Sequence, residues 1–318
     1  DAYYFSLELY KYLKKKSNDY DLIHAHNYHA FPALFAALSK KDNKFVFTPH
    51  TFGKPSIIIR KIMHRVYKPF GRKIFQIADR IITIARTERK YVLQEFNINN
   101  EEKVRYIPLP VEIDEIFFKE NKFNSDIKVA FVGRLSPEKN VDVLISAFKL
   151  AKKEYNNLRL YIVGDGPLRK MLEEMAKNTK DIQFLGAIKH TEVQRFLKKI
   201  DILVLPSQFE VFGLVVLEAM SKEVPVVVTP VGDLKYLRDN KHCLFTKIGD
   251  VEDLAEKLII LASDYKLARK IGRNGRKYVE KIHDVRKVIK HYTSLYKEVV
   301  ELCSLSTLGN TSTQEKLR

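Results

Sequence analysis

Short, continuously apolar runs alternate with longer helical patterns along almost the whole chain. The runs predict strands at Leu22–Ala25, Lys44–Phe47, Arg80–Ile84, Val104–Ile107, Lys128–Val132, Leu158–Val163, Ile182–Leu185, Ile202–Leu205, Val224–Val228 and Cys243–Phe245. Uniform rather than alternating hydrophobicity is typical of strands covered by helices on both faces, as in a parallel sheet. Strand and helix in turn therefore predict an α/β fold of doubly wound parallel sheets.

A break in this pattern divides the chain in two. Its 318 residues suffice for two domains, at roughly 150 residues each. Pro108 and Pro110 precede a polar stretch without helical or strand period, and a new strand–helix series begins at Lys128. We predict a first domain over residues 1–110, a linker over 111–126, a second domain over 127–284, a final helix over 285–302 and a flexible tail over 303–318.

The first domain is expected to be incomplete. It opens with a helical pattern at Tyr3–Lys16, whereas such sheets normally begin with a strand and a glycine-rich turn. The missing strand is expected upstream of Asp1.

Lysine and arginine outnumber acidic residues by 56 to 39, which leaves a net charge of +17. This excess predicts an anionic partner such as nucleotide phosphates, acidic lipid headgroups or nucleic acid. No aromatic stacking platform or recognition motif accompanies the scattered basic residues, which argues against nucleic acid. Cys243 and Cys303 cannot form a disulfide framework, and no signal segment or membrane-length apolar run is present, so a cytoplasmic location is expected.

Polar, cationic and glycine residues follow the strands at one edge of each predicted sheet, which is where open α/β sheets bind ligands. Arg134 and Lys139 come after Lys128–Val132, and a guanidinium with an ammonium suits a diphosphate. After Ile202–Leu205, Gly213 begins a helix whose free N–H groups favour an anion.

Two carboxylates flank that helix start. Glu210 lies in the loop before it and Glu218 lies within it, so both can accept hydrogen bonds from sugar hydroxyls. Gly164, in a Gly-Asp-Gly-Pro turn, permits close backbone approach to a ligand, and His50 follows a strand of the first domain. Each feature alone also fits a structural role, and no ligand spacing for a metal is present.

Together these residues resemble glycosyltransferase family 4, whose retaining enzymes have two facing Rossmann-like domains, the GT-B fold. The matching segments are Asp21–Asn27, Thr48–Thr51, Val132–Leu135 with Glu138–Asn140, Val163–Leu168, and Pro206-Ser207 with Glu210–Leu214 and Glu218–Met220, which is the Glu-x7-Glu signature. The family's opening strand and glycine-rich loop have no counterpart in this sequence.

The resemblance implies a role for each matched residue. Arg134 and Lys139 would hold the donor diphosphate with the amides of Gly213 and Leu214. Glu218 would bind the ribose, Glu210 the transferred sugar, and His50 the sugar near its reacting carbon. The nucleobase would lie against backbone near Gly186–Ile188, and the final helix would cross back to the first domain. The implied donor-binding set is Arg134, Lys139, Gly164, Ile188, Glu210, Phe212, Gly213, Leu214 and Glu218, with Glu210, His50, Arg134 and Lys139 as catalytic residues.

We therefore expect a retaining glycosyltransferase that moves a sugar from a UDP- or GDP-sugar to a hydroxyl of a lipid-linked or polysaccharide glycan. Protein cations would take the place of a metal, and no cofactor is expected. An inactive scaffold that needs a partner chain remains an alternative, as does a basic nucleic-acid-binding protein from a different class. A lysine-dependent phosphorylase is a weaker alternative, because no lysine context for its aldehyde cofactor is evident.

One basic helical pattern bears on the acceptor. Apolar positions alternate with Arg and Lys over Ile57–Lys68, and Arg72 and Lys73 follow. Such a helix can lie on an anionic membrane, here the inner membrane face, or can present an ordinary solvated surface. The sequence leaves both open.

Overall fold

The computed structural model describes residues 5–51, 58–114 and 126–314, with the side chains of 58–64 and 302–314 outside the description. The chain divides into two compact units. Unit 1 comprises Asp1–Leu109 and Arg286–Arg318, and unit 2 comprises Pro110–Val285. Each unit contains its own parallel sheet, so the predicted α/β class is confirmed.

The described strands follow the apolar runs closely. They are β1 Leu22–His26, β2 Lys44–Thr48, β3 Arg80–Thr83, β4 Val104–Tyr106, β5 Ile127–Val132, β6 Leu158–Val163, β7 Ile182–Gly186, β8 Ile202–Leu205, β9 Val226–Val228 and β10 Leu244–Phe245. The helices are α1 Leu7–Lys16, α2 Phe31–Leu38, α3 Ile58–Ile77, α4 Arg86–Glu95, α5 Val141–Glu154, α6 Arg169–Ala176, α7 His190–Leu197, α8 Leu214–Ser221, α9 Val251–Ser263, α10 Tyr265–Ile282 and α11 Val285–Gln314.

Unit 1 has a four-stranded sheet in the order β1-β2-β3-β4, with all pairs parallel. One face packs under α2, α3 and α4 through buried residues such as Phe45, Phe47 and Ile74. On the other face, Val46 and Ile82 pack against Leu295 of α11. Successive residues of a strand point to opposite faces, which is why neighbours such as Val46 and Phe47 serve different cores.

Unit 2 has a six-stranded parallel sheet in the order β10-β9-β8-β5-β6-β7. From β5 the chain winds outward through β6 to β7, and then returns to the other side of β5 to add β8, β9 and β10. The strand order therefore reverses between β5 and β8, which pair at Val129↔Ile202 and Ala130↔Leu203. Such a reversal opens a crevice at the carboxyl ends of the two strands.

The final helix ends later than predicted. α11 continues to Gln314, through twelve positions that the sequence analysis assigned to a flexible tail from 303. Residues 303–314 include no proline, so every backbone N–H can donate to the helix. Serine and threonine lower helix propensity only modestly, and propensity is a weak prior.

Candidate functional site

Two loops of unit 2 meet where β5 and β8 end. Asn140, buried and with φ of +49°, donates from Nδ2 to the carbonyl oxygen of Pro206 over 3.1 Å. Gln208 donates from Nε2 to Asn140 Oδ1 over 2.7 Å, and its backbone N–H donates to the Glu138 carbonyl over 2.8 Å. These hydrogen bonds hold the loop after β5 against the loop after β8.

The joined loops bring Lys139 and Glu210 together. Lys139 Nζ lies 2.5 Å from Glu210 Oε2, and the two side chains are only 17% and 15% exposed. Ser207 Oγ lies 3.5 Å from the same carboxylate oxygen. Lys139 and Glu210 are 71 positions apart in the sequence, and the sequence analysis expected both to face one crevice. In the structure they form an ion pair where the strand order reverses.

Arg134 occupies the same loop as Lys139, and its side chain is exposed. Ser136 Oγ donates to Glu138 Oε1 over 2.6 Å. That hydrogen bond, together with the positive charges of Lys139 and Arg134, lowers the pKa of Glu138. The loop therefore carries two cations and only one acid, and the Arg134 guanidinium is exposed to solvent.

α8 begins beside the Lys139–Glu210 pair. Gly213 caps it with φ of +56°, where a Cβ would lie 3.0 Å from Leu205 Cδ2. The amide of Val216 donates to the Gly213 carbonyl, whereas those of Leu214 and Val215 belong to the first turn, whose N–H groups have no intrahelical acceptor. The helix dipole adds positive potential there, so the predicted anion site has the required backbone geometry.

Glu218, one turn further into α8, faces a histidine that the sequence analysis did not single out. Its side chain is 9% exposed, and Oε1 lies 2.7 Å from Nε2 of His190 at the start of α7. Gln194 Nε2 lies 3.2 Å from the same nitrogen. His190 and Gln194 follow the segment predicted to meet the nucleobase. Because residues four apart lie on the same helix face, this spacing was a signal that both side chains point to one place.

Three other predicted donor residues have different surroundings. Gly164 has φ of +132°, and a Cβ there would lie 1.8 Å from the Gly133 carbonyl oxygen. The close approach that this glycine permits is thus to the neighbouring loop of the protein itself. Phe212 is buried, with its ring edge-on to His283 at 5.6 Å, so its ring belongs to the core. Ile188 is half-buried between β7 and α7.

His50 lies in unit 1, two residues beyond β2. Its φ is +49°, and its Nε2 lies 3.1 Å from Nδ1 of His26 at the end of β1. The next residue, Thr51, donates its backbone N–H to Glu88 Oε1 over 2.9 Å. Glu88, which is fully buried, went unrecognised in the sequence because a lone acid at the start of a helix usually serves only the helix dipole.

The predicted basic helix forms as α3. Val66 and Phe70, one turn apart, are 66% and 56% exposed, and Arg65, Arg72 and Lys73 are exposed beside them. Lys68 pairs with Glu95 instead of facing solvent alone. Ile57 lies outside the described residues.

The part of the chain that the structure describes contains neither a metal-ligand cluster nor a membrane-spanning helix. No group of three or more His, Cys, Asp or Glu side chains there is arranged to hold a metal ion. None of the helices in that part of the chain combines the length and the apolar composition needed to cross a bilayer.

Two family models match the sequence. Glycosyl transferases group 1 covers residues 112–278, more than half of the chain, and Glycosyltransferase Family 4 covers residues 1–115. An uncharacterised glycosyltransferase of Methanocaldococcus jannaschii is 30% identical over 274 residues, which is 84% of this chain and 72% of that protein. The poly(ribitol-phosphate) alpha-N-acetylglucosaminyltransferase of Staphylococcus aureus is 25% identical over 72% of this chain and 47% of its own length.

Solved structures have the same fold at lower identity. HepE of Anabaena, crystallised with UDP, superposes with a TM-score of 0.78 at 18% identity, covering 92% of this chain and 82% of HepE. TarM of S. aureus superposes with a TM-score of 0.75 at 19% identity, covering 91% of this chain and 57% of TarM. The two parallel-sheet units thus match GT-B glycosyltransferases, and the chain belongs to the group 1 glycosyltransferases, enzymes that transfer sugars.

Proposed function

We propose that the enzyme transfers a sugar from a UDP- or GDP-sugar to an acceptor hydroxyl with retention of anomeric configuration. The observation that carries this proposal is the Lys139–Glu210 pair at the β5/β8 reversal, beside the open amides of α8. HepE and TarM have been crystallised with UDP, which supports a nucleotide donor.

The cations supply the driving force in this mechanism. Negative charge accumulates on the diphosphate as the glycosidic bond lengthens, so groups aimed at it stabilise the transition state more than the bound donor. Lys139 exchanges Glu210 for the diphosphate, Arg134 adds a planar guanidinium, and the amides of Leu214 and Val215 complete the set. Because these groups neutralise the leaving group, we propose that no divalent metal is required.

The remaining donor contacts follow the same edge of the sheet. Glu210, released from Lys139, accepts hydrogen bonds from hydroxyls of the transferred sugar. Glu218 accepts from the ribose hydroxyls, and backbone near Ile188 receives the nucleobase. Gly164 and Phe212 act by shaping the loops, while His50 contacts the sugar near its reacting carbon, a role that rests on the family resemblance.

A glycan is the proposed acceptor, either lipid-linked or a polysaccharide. The S. aureus relative is named for adding N-acetylglucosamine to poly(ribitol-phosphate), and another relative is encoded in the cps region of Klebsiella pneumoniae. The first of these names favours a hydroxyl-bearing polymer as acceptor over a small metabolite.

The donor proposal is tested by thermal shift of the full chain against UDP, GDP, UDP-glucose, UDP-N-acetylglucosamine and GDP-mannose. Stabilisation by one nucleotide series and its sugars is expected. Release of nucleoside diphosphate should then fall about 100- to 1,000-fold in Arg134→Ala and in Lys139→Ala. Arg273→Ala, on an exposed position of α10, is the matched control and should keep wild-type turnover. Wild-type turnover in Arg134→Ala would defeat the mechanism.

We also propose that α3 docks on anionic membrane at the inner, cytoplasmic face. Val66, Phe70 and Lys73 recur at the spacing of one helix face, with Arg65 and Arg72 beside them. Sedimentation with liposomes should require anionic lipid and should fall in a Val66→Ser, Phe70→Ser double variant. Ile289→Ser, at an exposed position of α11, should sediment like wild type, and equal recovery without anionic lipid would contradict docking.

A further inference from the structure

Three histidines cluster where β1 and β2 end in unit 1. His24 and His26 point to the same face of β1, since two residues separate equivalent positions of a strand. His26 is in register with Thr48, the last residue of β2, so His50 emerges just beyond the end of β1. The rings of His26 and His50 are nearly parallel, with planes 20° apart and centroids 5.4 Å apart.

The backbone around His50 is held in place by the buried carboxylate of Glu88. Glu88 accepts the Thr51 N–H through Oε1 at 2.9 Å and the Ile84 N–H through Oε2 at 2.8 Å. The carboxyl thereby ties the segment after β2 to the segment after β3, next to a residue held at φ of +49°. With the backbone fixed, the direction of the His50 ring depends on its side-chain contacts.

His24 supports the cluster from α11 and β2. Its Nδ1 lies 2.7 Å from the Tyr296 hydroxyl and its Nε2 lies 2.8 Å from Thr48 Oγ1. The His24 and His26 ring centroids are 4.2 Å apart. Because both of its ring nitrogens are hydrogen-bonded, His24 has a fixed orientation, and the His26 ring packs against it.

The contact between His26 Nδ1 and His50 Nε2 has a consequence for proton placement. A neutral imidazole carries one N–H and one acceptor nitrogen, so one of the two facing nitrogens must donate. If His26 Nδ1 donates, His50 is protonated at Nδ1; if His50 Nε2 donates, His26 is protonated at Nε2. In either arrangement the two rings have the same tautomer.

We propose that His26 is a positioning residue for His50: their hydrogen bond forces a shared tautomer and fixes the face and the nitrogen, Nδ1, that His50 offers to the donor sugar. This inference rests on the proposed function, in which His50 meets the sugar. It adds to that function a residue that acts through His50.

Charge within the cluster favours the neutral pair. Burial lowers the pKa of His26, and burial with the neighbouring His26 charge lowers that of His50. Burial also lowers the pKa of His24 to about 3. On α11, the rings of Tyr292 and Tyr296 lie 6.3 and 5.8 Å from that of His24, and burial raises the pKa of both tyrosines. On α4, the Glu88 carboxylate accepts the N–H of Thr51, next to His50. Near neutral pH the rings are therefore uncharged, as the shared proton requires.

Nitrogen NMR of the full chain, labelled with ¹⁵N-histidine, tests the pair without any substrate. Tautomers are read from the long-range couplings of each ring, with assignments from single-histidine variants. His26 and His50 should both be Nδ1–H or both be Nε2–H. Different tautomers on the two rings would overturn the proposal.

Variants test whether the hydrogen bond, rather than the ring, matters. Asparagine places an amide near the position of Nδ1, so His26→Asn should keep His50 in one tautomer, whereas His26→Ala should leave a mixture. For nucleoside diphosphate release from the donor panel, kcat should fall about 10- to 100-fold in His26→Ala, the range expected for a misplaced catalytic group. In His26→Asn it should stay within a few fold of wild type, and KM should change little in either variant.

His291→Ala, at an exposed position of α11, is the control for loss of a surface histidine and should match wild type in spectrum and turnover. The positioning role would be overturned if kcat fell equally in His26→Asn and His26→Ala. It would also be overturned if His26→Ala left the His50 tautomer unchanged. If the wild-type chain binds no nucleotide, the proposed function fails instead, while the tautomer measurement still decides whether the pair exists.

Discussion

His190 occupies a carboxylate oxygen that the proposed nucleotide needs. Glu218 Oε1 accepts from, or pairs with, His190 Nε2 at 2.7 Å, while the imidazole itself is 71% exposed. An exposed side chain gains little from such a contact, because water competes for both partners. A ribose hydroxyl that binds Glu218 would therefore have to displace the His190 imidazole, at little cost in free energy.

Replacing His190 with alanine should strengthen binding of UDP. The variant removes a competitor worth about 1 kcal/mol, the net value of an ordinary hydrogen bond, so Kd should fall about fivefold. Isothermal titration with UDP measures this, and His242→Ala, a half-buried histidine elsewhere in unit 2, is the control. A weaker Kd in His190→Ala would instead show that the imidazole contacts the nucleotide.

His24 should make unit 1 sensitive to acid. Burial lowers its pKa from 6.5 to about 3 in the folded chain. The unfolded chain therefore binds more protons between those values, and the free energy of unfolding falls as pH drops through that window. The loss from His24 alone at pH 5 is at most about 2 kcal/mol.

Urea unfolding followed by circular dichroism at pH 7 and pH 5 measures this loss. His24→Gln keeps a hydrogen-bonding side chain that does not titrate, so its stability should fall less between the two pH values. His26 and His50 remain in that variant and account for the residual dependence. An unchanged pH dependence in His24→Gln would contradict the assignment.

At the scale of elements, α8 carries both the amides proposed to bind the diphosphate and Glu218, and α10 contacts its C-terminal end. Arg276 of α10 is 7% exposed. Its Nη1 donates to the Ser221 carbonyl at the end of α8 over 2.6 Å, and its Nη2 donates to the Asp114 carbonyl over 2.8 Å. Its Nε donates to Glu280 Oε1 over 2.6 Å. The last turn of α8 is thus anchored by a buried guanidinium that also pairs with a carboxylate of its own helix.

Arg276→Met should lower the stability of unit 2 by about 3 kcal/mol, because it leaves the buried Ser221 carbonyl, the part-buried Asp114 carbonyl and the Glu280 carboxylate without their charged donor. Nucleotide affinity should also fall, since α8 loses its anchor. Urea unfolding and UDP titration measure the two effects. Arg273→Met, one turn earlier and exposed, should change neither. Equal stability of the two variants would contradict the role of Arg276 in anchoring α8.

The strands, and the polar residues that follow them at one edge of each sheet, could be predicted from the sequence because both depend on local sequence pattern. Val129 and Leu203 lie in uniformly apolar runs, and the polar residues after those runs necessarily share one edge of a parallel sheet. The Lys139–Glu210 pairing follows from that geometry. The role of Glu88 has no such signature, and the His-x3-Gln spacing of His190 marks only a shared helix face. Neither predicts its contact, because both contacts depend on how helices pack after the sheet has formed. Gly164 has a packing requirement that the sequence does not reveal, since a Cβ there would meet the Gly133 carbonyl oxygen.

At the scale of the whole molecule, the two units have separate hydrophobic cores and contain different sets of the proposed binding and catalytic residues. The proposed nucleotide contacts at Lys139, Glu210 and Glu218 all belong to unit 2, whereas His24, His26 and His50 belong to unit 1. A chain with two cores does not have to unfold in one step, and a ligand stabilises only the part it binds.

Calorimetry of the full chain should therefore show two transitions, of which UDP moves one. At 100 times its Kd, UDP adds about 2.7 kcal/mol to the folded form it binds, which for a domain of this size is roughly 5–10 °C. Arg276→Met identifies the unit 2 transition by lowering it, and acidification to pH 5 should lower the unit 1 transition, with His24→Gln blunting that shift. UDP should raise only the transition that Arg276→Met lowers. A shift of both transitions by the same amount would mean that nucleotide contacts in unit 1 contribute to binding as much as the cationic loop of unit 2 does, and the donor site would have to be reassigned accordingly.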